Sequence, residues 1–187
     1  MRDLFVKVMM LVLCAAFVTG TALAGEKAPD EVVKMAKSTL ADMGKDPVIV
    51  EAVKAENTKG KSLSSIKEMD EKWKNTPGIA DFMQKMMDSK CGRHLRGIQD
   101  SKPYFAEIFV MDNQGANVCM TDKTSDYWQG DEAKFQKSYS GGNGDVFVDE
   151  VEFDDSTQSY ISQVSVPVFD GGKAIGAITF GIDIDKL

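Results

Sequence analysis

Between residue 30 and about residue 100, apolar side chains recur every three or four positions; from Pro103 onward they fall into runs and alternations. The first pattern is that of amphipathic helices and the second that of strands. Asp30 can cap a helix carrying Val32, Ala36, Leu40 and Met43 on one face, and Asp46-Pro47 opens a second with Val48, Ile49, Ala52 and Val53. Gly60-Lys-Ser62 interrupts the period. Leu63, Ile66, Met69 and Trp73 then form a third stripe, and Thr76-Pro77 starts a fourth with Ile79, Phe82, Met83 and Met86. Each stripe needs a partner surface, and the methionines of the fourth are expected as core filler rather than as a metal or cofactor box.

Beyond Pro103, Ala106 to Met111 and Ala116 to Thr121 read as two strands joined at Asp112-Asn-Gln-Gly115, whose Asn and Gly supply the backbone freedom of a turn. A short helix is expected from Gly130 or Asp131 to Tyr139, ended by Ser140-Gly-Gly-Asn-Gly144. Three strands follow, Val146 to Phe153, Tyr160 to Phe169 and Ala174 to Ile184. Without a long strand-helix alternation there is no case for a parallel sheet, so the fold class is α+β with an antiparallel sheet. On the strand from Tyr160, Ser162, Val164, Val166 and Val168 share its face, while Ile161, Gln163, Ser165 and Phe169 share the other. Both faces carry apolar residues, and both should be covered.

The amino terminus changes the picture of where the protein works. A short basic start followed by an apolar run to Val18 and by Ala22-Leu-Ala24 reads as a signal peptide, 1–24, cleaved before Gly25. The run is too short to favour a membrane span, and Cys14 has bulky rather than small residues before it, unlike a lipidation site. Residues 25–187 are read as one domain, with a helical layer at 25–102 and a sheet at 103–187. Without Arg2, Asp3 and Lys7 that part carries 20 basic and 28 acidic residues, a balance poorly suited to nucleic acid or anionic membrane. The expected location is periplasmic or secreted. Export makes a disulfide between the two remaining cysteines, Cys91 and Cys119, chemically possible; their spacing leaves open whether the α-carbons approach closely enough.

Enzyme readings find little support. The single histidine, His94, sits in Arg93-His-Leu-Arg96 without a nucleophile beside it, and reads as a surface or helix-end residue. Gly141-Gly-Asn-Gly144 lacks the Lys-Ser/Thr of a phosphate loop, and no acidic run has the alternation of a calcium loop. No cofactor is implied. What remains is a binding cleft around Tyr127-Trp128, with Asp131 or Asp154 to fix an amine and Lys134 or Arg96 to fix a carboxylate. The residues alone leave open whether Trp128 lines such a cleft or caps the core under a loop.

Several segments together resemble the Cache family of PAS-like extracytoplasmic sensor domains: Glu107-Ile-Phe-Val-Met-Asp112 with Gly115, Thr121 through Asp-Tyr-Trp-Gln-Gly-Asp-Glu132, Val151-Glu-Phe-Asp-Asp-Ser156, and Val164-Ser-Val-Pro-Val168 with Ile175-Gly-Ala-Ile178. The similarity spans roughly residues 28–187 and includes Asp46-Pro47, Asn57 and Trp73. It implies a long amino-terminal helical layer on a sheet of about five strands, with a ligand pocket on the opposite face. Carried over by position, Tyr127, Trp128 and Asp131 fall on the pocket wall, Asp154 after the third strand, and Tyr160 and Ser162 on the fourth. Family ligands are small amino acids, carboxylates or amines. Amino-acid-binding members place an arginine shortly before the tryptophan, where this chain has Ser125-Asp126-Tyr127. The ending at Lys186-Leu187, just after the last strand, resembles a free-standing sensor protein acting through a separate membrane chemoreceptor or kinase. The alternative is an interaction module with a vestigial pocket that docks on such a partner.

Overall fold

The computed structural model describes residues 25–155 and 157–187; the signal peptide, its cleavage site and Cys14 lie outside the described residues. The first helical run comprises α1 (Asp30–Met35), a wider π-type segment (Ala36–Leu40) and α2 (Ala41–Met43). Within it the Ser38 hydroxyl donates to the Lys34 carbonyl at 2.8 Å, a local bond of the kind that competes with the helical ladder. Val32, Ala36 and Leu40 are fully buried as their spacing requires. Asp30 is the first residue of α1 rather than its cap: Pro29 holds that position, and no side chain bonds there.

Helix α3 (Pro47–Thr58) starts where Asp46-Pro47 places it. Asp46 Oδ1 accepts the N–H groups of Val48 and Ile49 at 2.8 and 3.3 Å, and its Oδ2 meets His94 Nε2 at 2.9 Å. His94 therefore ties α6 (Lys90–Gln99) to the start of α3. Helix α4 (Leu63–Lys74) is capped by Ser62, and α5 (Asp81–Met87) begins four residues later than Pro77 suggests. Gly78 with φ near 65° interrupts the chain there. Ile79 and Leu63, expected on buried stripes, are exposed, because each lies at or before the first turn of its helix.

Strands β1 (Phe105–Met111), β2 (Asn117–Met120), β3 (Phe147–Asp154), β4 (Ser159–Asp170) and β5 (Lys173–Asp183) form one antiparallel sheet in the order β2-β1-β5-β4-β3. The period of two divides each strand between two cores. Ile108 and Val110 of β1, Val164, Val166 and Val168 of β4, and Ile178, Phe180 and Ile182 of β5 pack against the first helical run, α3 and α6. Phe109, Met111 and Ala177 face the other way, onto Ile66, Trp73, Met83 and Met87 of α4 and α5 and onto Phe135 of α7 (Ala133–Tyr139). The helical half therefore does not lie on one face alone: α4 and α5 pass round the β2 edge to the second face.

Cys91 on α6 and Cys119 on β2 are bonded across a Cα–Cα distance of 5.9 Å, which joins α6 to the sheet edge. No helix among the described residues is long and apolar enough to cross a membrane.

Candidate functional site

A cleft of about 560 Å³ opens on the second face of the sheet, a size typical of small-molecule sites. Its floor is made by Glu107 and Phe109 of β1 and by Ile161 and Gln163 of β4. One wall is β3 with the residue after it, and the other is the segment Lys123–Gln129, with Lys134 of α7 reaching in. The floor follows from strand parity: Glu107 and Phe109 alternate with the core residues Ile108 and Val110, and Ile161 and Gln163 alternate with Ser162 and Val164.

The β3 wall owes its shape to a bulge. Val148 pairs with Val164 and Val151 with Ser162, so Asp149 and Glu150 together stand opposite Gln163. An extra residue of this kind bends a strand and re-aims its side chains; here both acids line the cleft. The hydroxyl of Ser162 donates to the freed Asp149 carbonyl at 2.8 Å, and so secures the bulge from the buried side.

At the floor, Gln163 Nε2 donates to Glu107 Oε1 at 2.9 Å. Glu107 lies across Gly181 of β5, where an added Cβ would sit 2.6 Å from Glu107 Cγ. The glycine is what lets the carboxylate side chain lie flat against the sheet. Burial pushes the Glu107 carboxyl above its usual range, opposed by the Gln163 hydrogen bond and the nearby Lys134 ammonium.

Six carboxylates line the cleft, those of Glu107, Asp149, Glu150, Glu152, Asp154 and Asp155, against two ammonium groups, Lys123 and Lys134. Both cations are already engaged: Lys134 pairs with Glu132 at 2.9 Å, and Lys123 donates to the Thr76 carbonyl at 2.8 Å. The acids are not grouped as metal ligands; no cluster of three or more such side chains suited to a metal occurs among the described residues.

Of the residues singled out from sequence, Lys134 and Asp154 line this cleft. Asp154 also accepts the Thr157 N–H at 2.8 Å in the turn between β3 and β4. The others stand elsewhere. Tyr127 is buried against Trp73, ring centroids 5.7 Å apart. Trp128 donates its indole N–H to the Gln114 carbonyl at 2.8 Å and carries Lys67 over its ring. Asp131 is exposed, Tyr160 is exposed and packs edge-on with Phe153, and Ser162 faces the helical core. Arg96 donates to the Thr121 carbonyl on the far side of β1. Position along the chain put these residues near the pocket; parity and the tight anchoring of 124–129 keep them from lining this cleft, and Tyr127 lines a second cavity instead. Glu107, Gln129 and Gln163 were missed, although a carboxylate inside the apolar run Ala106 to Met111 is itself a signal, because an interior strand hides a charge only where a cleft or partner receives it.

No family model matches the chain, and no curated protein matches it. Solved structures do. The V. cholerae histidine kinase DctB sensor domain shares 12% identity at a TM-score of 0.47, covering 84% of this chain and 51% of that one. The sensory domain of the Campylobacter jejuni chemoreceptor Tlp3 with isoleucine bound shares 18% at 0.39, covering 83% and 64%. The ligand-binding domain of the Pseudomonas aeruginosa PAO1 amino acid chemoreceptor PctC in complex with GABA shares 11% at 0.38, covering 83% and 60%. The chain thus spans between half and two thirds of the length of these structures. All three are described as sensor, sensory or ligand-binding domains.

Proposed function

We propose that this protein is an extracytoplasmic, non-enzymatic small-molecule sensor domain whose cleft takes a cationic, amine-bearing ligand. The observation that carries the reading is the charge of the cleft: six carboxylates face two lysines that are both already bonded. Concave, low-dielectric walls of one sign focus their field and concentrate the opposite charge. An ammonium group reaching the floor would also relieve Glu107, whose burial disfavours its charged form. Such a ligand contributes most where the empty site is least comfortable.

This narrows the classes implied by the resemblance. A small carboxylate would have to enter against six acids, with Lys134 already paired to Glu132 and Lys123 already donating to the Thr76 carbonyl. The absence of an arginine before Trp128 points the same way, since Ser125-Asp126 supplies no carboxylate clamp. The bound state would be passed to a separate membrane chemoreceptor or kinase, the partner that the Cache resemblance implies.

Calorimetric titration with putrescine, ethanolamine and acetate tests the reading. At least one amine should bind and acetate should not, and Glu107→Gln should weaken the amine about tenfold, the scale of one charge-assisted hydrogen bond. Acetate binding in preference to both amines would overturn it. Capture of a membrane receptor from solubilised membranes, with and without putrescine, tests the partner.

A further inference from the structure

A second cavity, of about 570 Å³, lies at the β2 edge where α3 and α6 on one face of the sheet meet α4 and α5 on the other. Its character is opposite to that of the acidic cleft. The body is apolar, with Met69, Trp73, Phe82, Met86 and Val118 among its lining residues. The rim is basic: Lys59, Lys61, Lys85 and Lys90 outnumber Glu51 and Glu56. Lys59 and Lys61 share Glu56 and Lys90 pairs with Glu51, whereas Lys85 has no ion-pair partner among the described residues. A basic rim around an apolar cavity is not what a chain of net charge −7 produces by composition.

Two polar groups border the apolar part. Lys61 Nζ donates to the Tyr127 hydroxyl at 2.9 Å, and Asn117 lines the cavity from β2. Asn117 is 1% exposed. Its Nδ2 donates to Thr124 Oγ1 at 2.7 Å and to the Asp126 carbonyl at 3.1 Å, which fixes the amide orientation, yet its Oδ1 has no hydrogen-bond partner among the described residues. Turning the amide over would point an oxygen at the Asp126 carbonyl and strand the NH2 instead. A buried acceptor left unmet costs about 1–3 kcal/mol; that oxygen is itself closed off by its surroundings, so it offers no contact to a molecule in the cavity.

We infer that this cavity is a second binding site, for an organic anion with an apolar body and a carboxylate at one end. The apolar body packs on Met69, Trp73, Phe82 and Met86, and the carboxylate meets the rim at Lys85, the lysine without an ion-pair partner among the described residues. The site is separate from the acidic cleft and does not depend on what the cleft binds. The two stand back to back: Thr124 and Ser125 line the cleft while Asn117, Trp73 and Tyr127, which hold that segment by hydrogen bonds and packing, line the cavity.

The probes are 2-hydroxyoctanoate, octanoate and methyl octanoate, titrated calorimetrically into the wild-type protein and followed through Trp73 emission in Trp128→Phe, where Trp73 is the single remaining tryptophan. Both acids should bind saturably and perturb Trp73, and the ester should not bind. Ala55→Phe, on an exposed position of α3 that lines the cavity, should abolish binding, and Lys85→Glu should weaken it several-fold. Glu107→Gln in the acidic cleft should leave it unchanged, which separates failure here from failure of the amine reading. Equal affinity for the ester and the acids, or binding indifferent to Ala55→Phe, would overturn the inference.

Discussion

Oδ1 of Asp70 accepts the backbone N–H of Tyr127 at 2.9 Å, and the same oxygen accepts that of Trp128 at 3.0 Å. One carboxylate on α4 thus anchors the segment that separates the two cavities. Its other oxygen meets Lys74 at 2.7 Å, and Lys74 reaches on to Asp126 at 3.4 Å. Three residues further along α4, the Trp73 indole donates to the Thr124 carbonyl at 2.8 Å. The spacing of Asp70 and Trp73, nearly one helical turn, matches the segment they grip.

Asp70→Ala would leave two amide donors without their acceptor in a largely buried place. The expected loss is about 3 kcal/mol of unfolding free energy, and about 1 kcal/mol for Asp70→Asn, which keeps an acceptor oxygen. Urea denaturation monitored by tryptophan emission reads both. Equal losses in the two variants would show that the Lys74 pair, not the backbone anchoring, holds the segment.

Trp128 illustrates what was legible in the sequence and what was not. The helices, the Asp112 to Gly115 turn and five antiparallel strands follow from local periodicity and turn chemistry, and the structure has them within a few residues. Gly115 adopts φ near 82°, as such a turn asks. The site depends on relations that local pattern does not encode: the α4 grip on 124–129, the passage of α4 and α5 to the second face, and a one-residue bulge in β3. A Tyr-Trp pair between acidic residues looks like a wall of the acidic cleft, yet Asp70 and the Gln114 carbonyl hold it away from that cleft, with Tyr127 lining the second cavity instead. Trp128→Ala should therefore cost about 2–3 kcal/mol of stability through lost burial while changing amine affinity by less than about threefold.

Glu107 gives the protein a pH dependence with a definite sign. Its folded-state pKa is raised by burial, so the folded state favours the protonated form more than the unfolded state does. The favourable contribution is fully present below the unfolded value of about 4.3 and is lost as pH rises through the folded value. Glu107→Gln should accordingly be more stable than wild type at pH 7 and lose that advantage near pH 4. Amine binding, which favours the ionised carboxylate, should tighten in the wild type as pH rises over the same interval. Thermal unfolding between pH 4 and 8 measures the first and titration of putrescine the second.

Reduction tests the tie between α6 and the sheet edge. The Cys91–Cys119 bond closes a loop with a separation of 28 residues, and loop-closure entropy assigns such a bond about 3–4 kcal/mol. The double variant Cys91→Ser, Cys119→Ser should lose stability on that scale, with a further contribution from two hydroxyls placed in buried positions. Cys→Ala at both positions separates the two effects: if its loss is much smaller than that of the serine variant, burial of polar groups rather than chain restriction dominates.

Ser162 links the helical core to the cleft without lining it. Its hydroxyl is the partner of the Asp149 carbonyl that the β3 bulge sets free, while its side chain lies on the helical face, fully buried. Ser162→Ala removes about 1 kcal/mol of hydrogen bonding and leaves that carbonyl without its side-chain donor. The bulge then has less reason to keep Asp149 and Glu150 turned toward the cleft. Amine affinity should fall several-fold, although no cleft-lining residue has changed, and backbone amide exchange at Asp149 and Glu150 should quicken. Restoring the hydroxyl with Ser162→Thr should recover both readouts if the added methyl is accommodated. Loss of stability with unchanged affinity and unchanged exchange would mean that the bulge is held by its backbone alone.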